Sequence, residues 1–247
     1  MKFRIPYAAK AISIIVFFQA SLMFSGNVFS QDVQGWMDAF VVKPFGYFEY
    51  EGNLGTAKLI QKDGWRDYYL ANTLSYQRAN WYLAEACLEL HSTRDPQDQN
   101  VKEVTVFLGQ RFFFTTFIKK IHLQLPYFYL RLDERNLFYE DGSTDQKVRL
   151  RPRLGGRFIL NNIFISDKTW YIPFYAEYFI NFNGEAFERF ASRNRFMTGV
   201  GYAFTQKLRG ELNYYAQRSR NSNEDSFERT DMIFQVAVRY YFLKGVE

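Results

Sequence analysis

Between Lys147 and Leu160 the side chains change character at every step. Lys147, Arg149, Arg151, Arg153 and Arg157 occupy odd positions, while Val148, Leu150, Leu154, Phe158 and Leu160 occupy even ones. A period of two is the mark of a β-strand, whose successive side chains point to opposite faces. The same period runs through Trp170 to Asn183. There Trp170, Ile172, Phe174, Ala176, Tyr178, Ile180 and Phe182 share one face, and Tyr175, Glu177, Asn181 and Asn183 share the other. It returns in Arg229 to Phe242, where Met232, Phe234, Val236, Val238, Tyr240 and Phe242 oppose Asp231, Gln235 and Arg239. Runs this long exceed the usual strand of about five or six residues, so they exclude a helical fold and point to a large, long-stranded sheet.

Arg66 to Gln77, Trp81 to His91, Val101 to Phe114, Ile121 to Tyr139, Asn194 to Phe204 and Leu208 to Ser219 read the same way. The phase slips within Ile121 to Tyr139, next to Pro126, which predicts a bulge. Connections alternate between tight turns and longer polar loops, the habit of outer-membrane barrels, which in bacteria have even strand numbers. Nine strands therefore call for a tenth, and Phe45 to Glu51 is the best candidate. The expectation is an all-β fold: a single antiparallel up-and-down transmembrane β-barrel of about ten strands, with eight or twelve as alternatives. Both termini would be periplasmic, and Gly184 to Arg193 and Arg220 to Glu228 would be exposed outside. The barrel domain spans 31–247, with its start within 31–65 left open.

The first thirty residues read as an address. Lys2, Arg4 and Lys10 precede an apolar run from Ala11 to Phe24 and a small, polar stretch to Ser30, the layout of a cleaved secretory signal peptide over 1–30. Without it, 28 of the 31 basic residues face 26 acidic ones, so charge gives a nucleic-acid partner no support. No later stretch approaches the roughly 20 apolar residues of a spanning helix. The single Cys87 cannot form an internal disulfide. Aromatic residues make up 20% of the chain, which rules out disorder and suits the interfacial girdles of a membrane barrel.

Alternation alone does not say which face meets lipid. The polar face decides, because Arg and carboxylates dominate it: Glu85, Glu89, Glu103, Arg111, Arg209 and, above all, Arg131, Asp133, Arg135, Arg149, Arg151, Arg153, Glu177, Arg195, Glu211, Asp231 and Arg239. Arg suits bidentate pairing with carboxylates in desolvated networks. The last eleven residues are therefore expected to form an ionic network that plugs a narrow lumen.

The runs Tyr129-Leu130-Arg131-Leu132-Asp133-Glu134-Arg135, Arg151-Pro152-Arg153-Leu154-Gly155-Gly156-Arg157-Phe158 and Tyr175-Ala176-Glu177-Tyr178-Phe179-Ile180-Asn181 come first in a series. Asn194-Arg195-Phe196, Gly199-Val200-Gly201-Tyr202 and Glu211-Leu212-Asn213-Tyr214 follow in order. As a series they resemble the family catalogued as domain of unknown function 2490, over roughly residues 66 to 242. The resemblance implies a small outer-membrane β-barrel of the kind common in Bacteroidota-type bacteria, and it implies no reaction. Residues 31–65 match it poorly.

A search for chemistry finds little. His91 and Thr93 share a face near Ser92, Asp95 and Asp98, but no third orienting group completes a hydrolytic site. His122 reads as a polar lumen or interface residue. Two distant histidines and one cysteine make no metal set, and Glu140 to Asp145 lacks the spacing of a calcium loop. Gly199 and Gly201 read as making room for long Arg side chains. No catalytic, cofactor-binding or metal site is expected. The expected role is a non-catalytic, structural or adaptor barrel in the Gram-negative envelope. The alternatives are a narrow anion or solute channel and a barrel enzyme hydrolysing lipid or peptide. The expected partners are the outer-membrane bilayer and the barrel-assembly machinery during insertion.

Overall fold

The computed structural model describes residues 32–60, 65–94, 100–114, 123–182, 192–220 and 228–242. The expected signal segment, His122, Asp95, Asp98 and most of the two long loops lie outside these residues. Among the described residues there are eleven strands and no helix. They are β1 (Asp32–Phe45), β2 (Phe48–Leu59), β3 (Arg66–Ala79), β4 (Tyr82–Arg94), β5 (Asn100–Phe113), β6 (Leu123–Tyr139), β7 (Thr144–Ile159), β8 (Thr169–Asn181), β9 (Ser192–Ala203), β10 (Leu208–Arg220) and β11 (Glu228–Tyr241). Each pairs with its neighbour in sequence, and β1 pairs with β11 to close a barrel.

The expectation of ten strands is corrected here. The proposed Phe45 to Glu51 strand is the corner of a hairpin, with β1 and β2 joined through Gly46 and Tyr47 and Gly46 at φ 61°. An up-and-down meander of odd number must close with its first and last strands running the same way. The β1–β11 pair is accordingly parallel, with register from Asp32 opposite Asp231 to Val42 opposite Tyr241. Asp32 and Tyr241 thus lie at opposite rims, which corrects the expectation that both ends of the barrel share one side.

β1 and β2 escaped the pattern for local reasons. The inward face of β1 carries Trp36, Phe40 and Val42 beside Gln34 and Asp38, so the polar contrast between faces is lost. β2 contains Gly52, Asn53 and Gly55, residues that usually punctuate loops. Gly55 is there for a neighbour: a Cβ would sit 2.2 Å from the ring of Tyr69, its cross-strand partner. Gly201 and Gly199 act likewise, but the space goes to the Tyr171 ring and to Asn213, not to arginine. The slip beside Pro126 appears as a register shift between Gln124 and Tyr127.

The barrel is polar within and apolar without. Asp133 is fully buried and Glu177 is 3% exposed, whereas Leu54 and Leu212 on the outer face are each 64% exposed. One rim carries the turns at 46–47, 80–81 and 204–207, and the other carries the β6–β7 turn at 140–143. At the first rim aromatic rings pack in series: Phe45, Phe48 and Tyr76; Trp81, Tyr82 and Phe112; Trp170, Tyr202 and Phe204; and Tyr240 with Phe242.

Candidate functional site

All eleven residues picked for the lumen lie on inward-facing positions, and six of them meet in one cluster, with Arg135 beside it. Asp133 is the hub, because β6 places it between arginines of its own strand and of β7. Its carboxylate accepts from Arg131, from Arg149 at 2.7 and 3.0 Å and from Arg151 at 3.4 Å. Glu177 on β8 is the second hub. Its Oε1 accepts from Arg151 at 2.9 Å and from Arg153 at 2.7 Å, while Oε2 has no hydrogen-bond partner among the described residues. Arg135 pairs with Glu103 through two bonds of 2.7 Å. Arg131 forks onto Glu89 at 3.0 and 3.1 Å and lies 3.6 Å above the Phe107 ring. Period-two spacing explains the geometry, since residues two apart on one strand share a face and reach the facing rungs of their neighbours.

The remaining four make other contacts. Arg195 lies opposite Glu177 in register but donates to the Gln217 carbonyl at 2.8 and 3.1 Å, and the Gln217 amide donates to Asp231 at 2.8 Å. Glu211 sits toward the turn rim, accepting from the Tyr171 hydroxyl at 2.8 Å and the Asn213 amide at 3.3 Å. Arg239 pairs with Glu51, an acid on the unrecognised β2. The sequence pattern selected the face but not the partners. Gln217 is an uncharged amide and gives no charge signal, Gln235 stands on the polar face of the last strand without a charge to mark its role, Asp38 lies on the unassigned β1, and on the inward face of β3 no charge follows Asp67.

Inside the loop-rim half lies a cavity of about 1440 Å³. One wall is acidic, with Asp38, Asp67, Glu89 and Glu103 from β1 and β3 to β5; the other is basic, with Arg131, Arg135, Arg149, Arg151, Arg193 and Arg195 from β6, β7 and β9. It passes Trp36 and Ile233, which also belong to a buried cluster with Tyr175, Met197 and Tyr215, and reaches Phe40 on β1. The lining does not extend to Tyr129, Tyr171, Arg157 or Glu211 in the turn-side half, where Tyr129 and Tyr171 are almost wholly buried. The space is therefore a cup with its mouth at Thr93, Glu140, Asp141 and Ser143. An internal ionic network is present, yet it leaves the loop-side half hollow, which the expectation of a filled lumen did not include.

The acidic wall is internally satisfied. Asp67 is bonded by His91 Nδ1 at 3.0 Å and by the Thr93 hydroxyl at 2.9 Å. Asp38 accepts from Tyr69, from Asn53 at 3.1 Å and from Gln235 at 2.5 Å. His91 and Thr93 thus both turn to Asp67, and the hydroxyl bonds the carboxylate instead of the imidazole, so they do not form a nucleophile and base pair. At the mouth Asp141 accepts from the Ser143 N–H at 2.8 Å and hydroxyl at 2.6 Å, bonds that hold its carboxyl below the usual range. Among the described residues no group of three His, Cys, Asp or Glu side chains is placed to hold a metal ion. Cys87 is free and buried beside Ala71 and Phe107.

In comparisons with known proteins, residues 34–228 match the family described as "Protein of unknown function (DUF2490)". Neither the curated proteins nor the solved structures contain a match to the chain. The family match begins within β1, so it takes in the two strands that the sequence resemblance left out. With well over half of the chain covered in one uninterrupted match, the protein belongs to the DUF2490 family.

Proposed function

We propose that the chain is an integral outer-membrane β-barrel, exported by a signal peptide over residues 1–30, with a non-catalytic role in the envelope. One observation carries the reading. Each of the eleven strands turns at least one large apolar side chain to the outside, among them Met37, Leu54, Leu108, Leu154, Val200, Leu212 and Phe234, while arginines and carboxylates are buried within. In water such a girdle would expose far more contiguous apolar surface than a soluble monomer carries. In hydrocarbon it is the expected solvent-facing surface, and closure leaves no strand edge with unpaired backbone groups. Strands of 12 to 17 residues also exceed the roughly 9–11 that a tilted strand needs to cross a bilayer. The aromatic rim is taken as the periplasmic interface, because it carries the short turns. Insertion would then depend on the barrel-assembly machinery, as for other proteins of this architecture.

The test is fractionation of cells expressing the full chain. The expected outcome is recovery in the outer-membrane fraction, release by detergent but not by carbonate, and a mature N-terminus near Gln31. Recovery as a soluble periplasmic protein would overturn the proposal.

A further inference from the structure

The two walls of the cup are opposite in charge, and on the basic wall the arginines share their acids. On the acidic wall Glu89 and Glu103 are taken by Arg131 and Arg135, Asp67 by His91 and Thr93, and Asp38 by three uncharged donors, Tyr69, Asn53 and Gln235. On the basic wall Arg149 is bonded, among the described residues, by Asp133, which it shares with Arg131 and Arg151. Arg151 and Arg153 share one oxygen of Glu177, and Arg195 has a neutral partner, Gln217. Five guanidinium groups, of Arg131, Arg149, Arg151, Arg153 and Arg195, thus stand against three directly bonded carboxylates, Asp133, Glu177 and Glu89. Asp231 is reached from Arg195 only through the Gln217 amide. Guanidinium charge gathered on one wall, apart from the acids of the other, favours an anion at that spot.

The geometry gathers three of these guanidinium groups at one spot. The Phe179 ring, 2% exposed, has Arg149, Arg151 and Arg195 around it, with guanidinium carbons 4.6 to 5.3 Å from its centroid. The quadrupole of the ring holds these cations together without neutralising them. Phe179 and all three arginines line the cavity, and one terminal nitrogen each of Arg149 and Arg195 is not used in the bonds to Asp133 and Gln217. Arginine forks in this arrangement match the planar or tetrahedral oxygens of carboxylate and phosphate. The volume of about 1440 Å³ accommodates a solute of many heavy atoms around such a group. The exposed rim acids Glu140 and Asp141 are screened by salt within roughly 10 Å, whereas the buried arginines are screened much less.

We propose that the loop-side cup is a binding site for a small soluble anion bearing phosphate or carboxylate groups, seated on Arg149, Arg151 and Arg195 over Phe179. Every neighbouring pair of strands is hydrogen-bonded around the barrel, so the site is entered from the rim and not from the bilayer. This ligand assignment does not depend on where the barrel resides.

The experiment is calorimetric titration of the refolded full chain in detergent with sodium pyrophosphate and, separately, with citrate. Saturable binding of at least one of them, one per chain, is expected. Arg195→Gln should weaken it by about tenfold or more, since a charged donor is lost. That variant removes a side chain whose direct bonds among the described residues run to the neutral Gln217, and its folding is checked by the strand signal in circular dichroism. Lys58→Gln, on the outer face of β2, should leave binding unchanged. Dispersed anionic phospholipid should not compete. Absence of saturable binding of both probes to the wild type overturns the proposal, as does full-strength binding by a folded Arg195→Gln protein. Competition by phospholipid would overturn the assignment to a soluble anion.

Discussion

Glu177 joins β7 to β8 and is opposed by arginines on both sides, Arg153 and Arg195. At 3% exposure it has no water to replace the two guanidinium groups it holds. Glu177→Gln keeps the shape and removes the charge, leaving Arg151 and Arg153 short of a counterion in a desolvated site. The expected cost is about 3–5 kcal/mol, the scale for breaking a buried pair from one side, read from urea unfolding of the refolded barrel. Lys168 is the contrasting residue. It sits in the β7–β8 turn with φ 55°, a left-handed conformation, and its carbonyl accepts from Asn161 at 2.8 Å. Lys168→Gln should change stability by less than about 0.5 kcal/mol, and a loss as large as that at Glu177 would refute the assignment of the stability to the lumen.

At the scale of elements, β1 decides the architecture. Its outward residues Met37 and Val41 and inward residues Trp36 and Phe40 are all apolar, so it presents no contrast from which a period could be read. Only its pairing with β11 shows that it closes the barrel in parallel. The register places Ala39 opposite Val238, both on the outer face. In a Cys87→Ala background, Ala39→Cys with Val238→Cys should form an intramolecular disulfide under mild oxidation, seen by peptide mapping. Met37→Cys with Tyr240→Cys, four positions out of register, should not. The reverse pattern would mean that another strand closes the sheet.

For the whole molecule, the hollow and filled halves of the lumen have different consequences. The cup takes up the loop-side half, and the turn-side half holds Tyr129, Tyr171, Tyr175 and Tyr215, each no more than 9% exposed. Such packing narrows the turn-side half, so the refolded protein in planar bilayers is expected to give little or no conductance. A steady, large, anion-selective conductance would show that the arginine rows line open water. The closing strands also separate the ends of the barrel, Asp32 at the loop rim and Tyr241 at the turn rim, an arrangement that follows from odd parity alone.

The sequence by itself determined the long strands from β3 to β11, the inward face of β4 to β11 and the bulge at Pro126. All of these follow from a local period of two, which needs no partner to be visible. It also selected Arg131, Asp133, Arg149, Arg151, Arg153 and Glu177 as residues of one interior. Pairing is a different matter, because a guanidinium reaches whichever acid closure brings across the lumen. Arg131 finds Glu89 from two strands away, and Arg239 finds Glu51 from the far end of the chain. Strand parity, the parallel seam and the hollow cup were decided only in three dimensions. They depend on how many strands close the ring and on how much of the enclosed volume the inward side chains fill, and neither quantity is carried by any single segment.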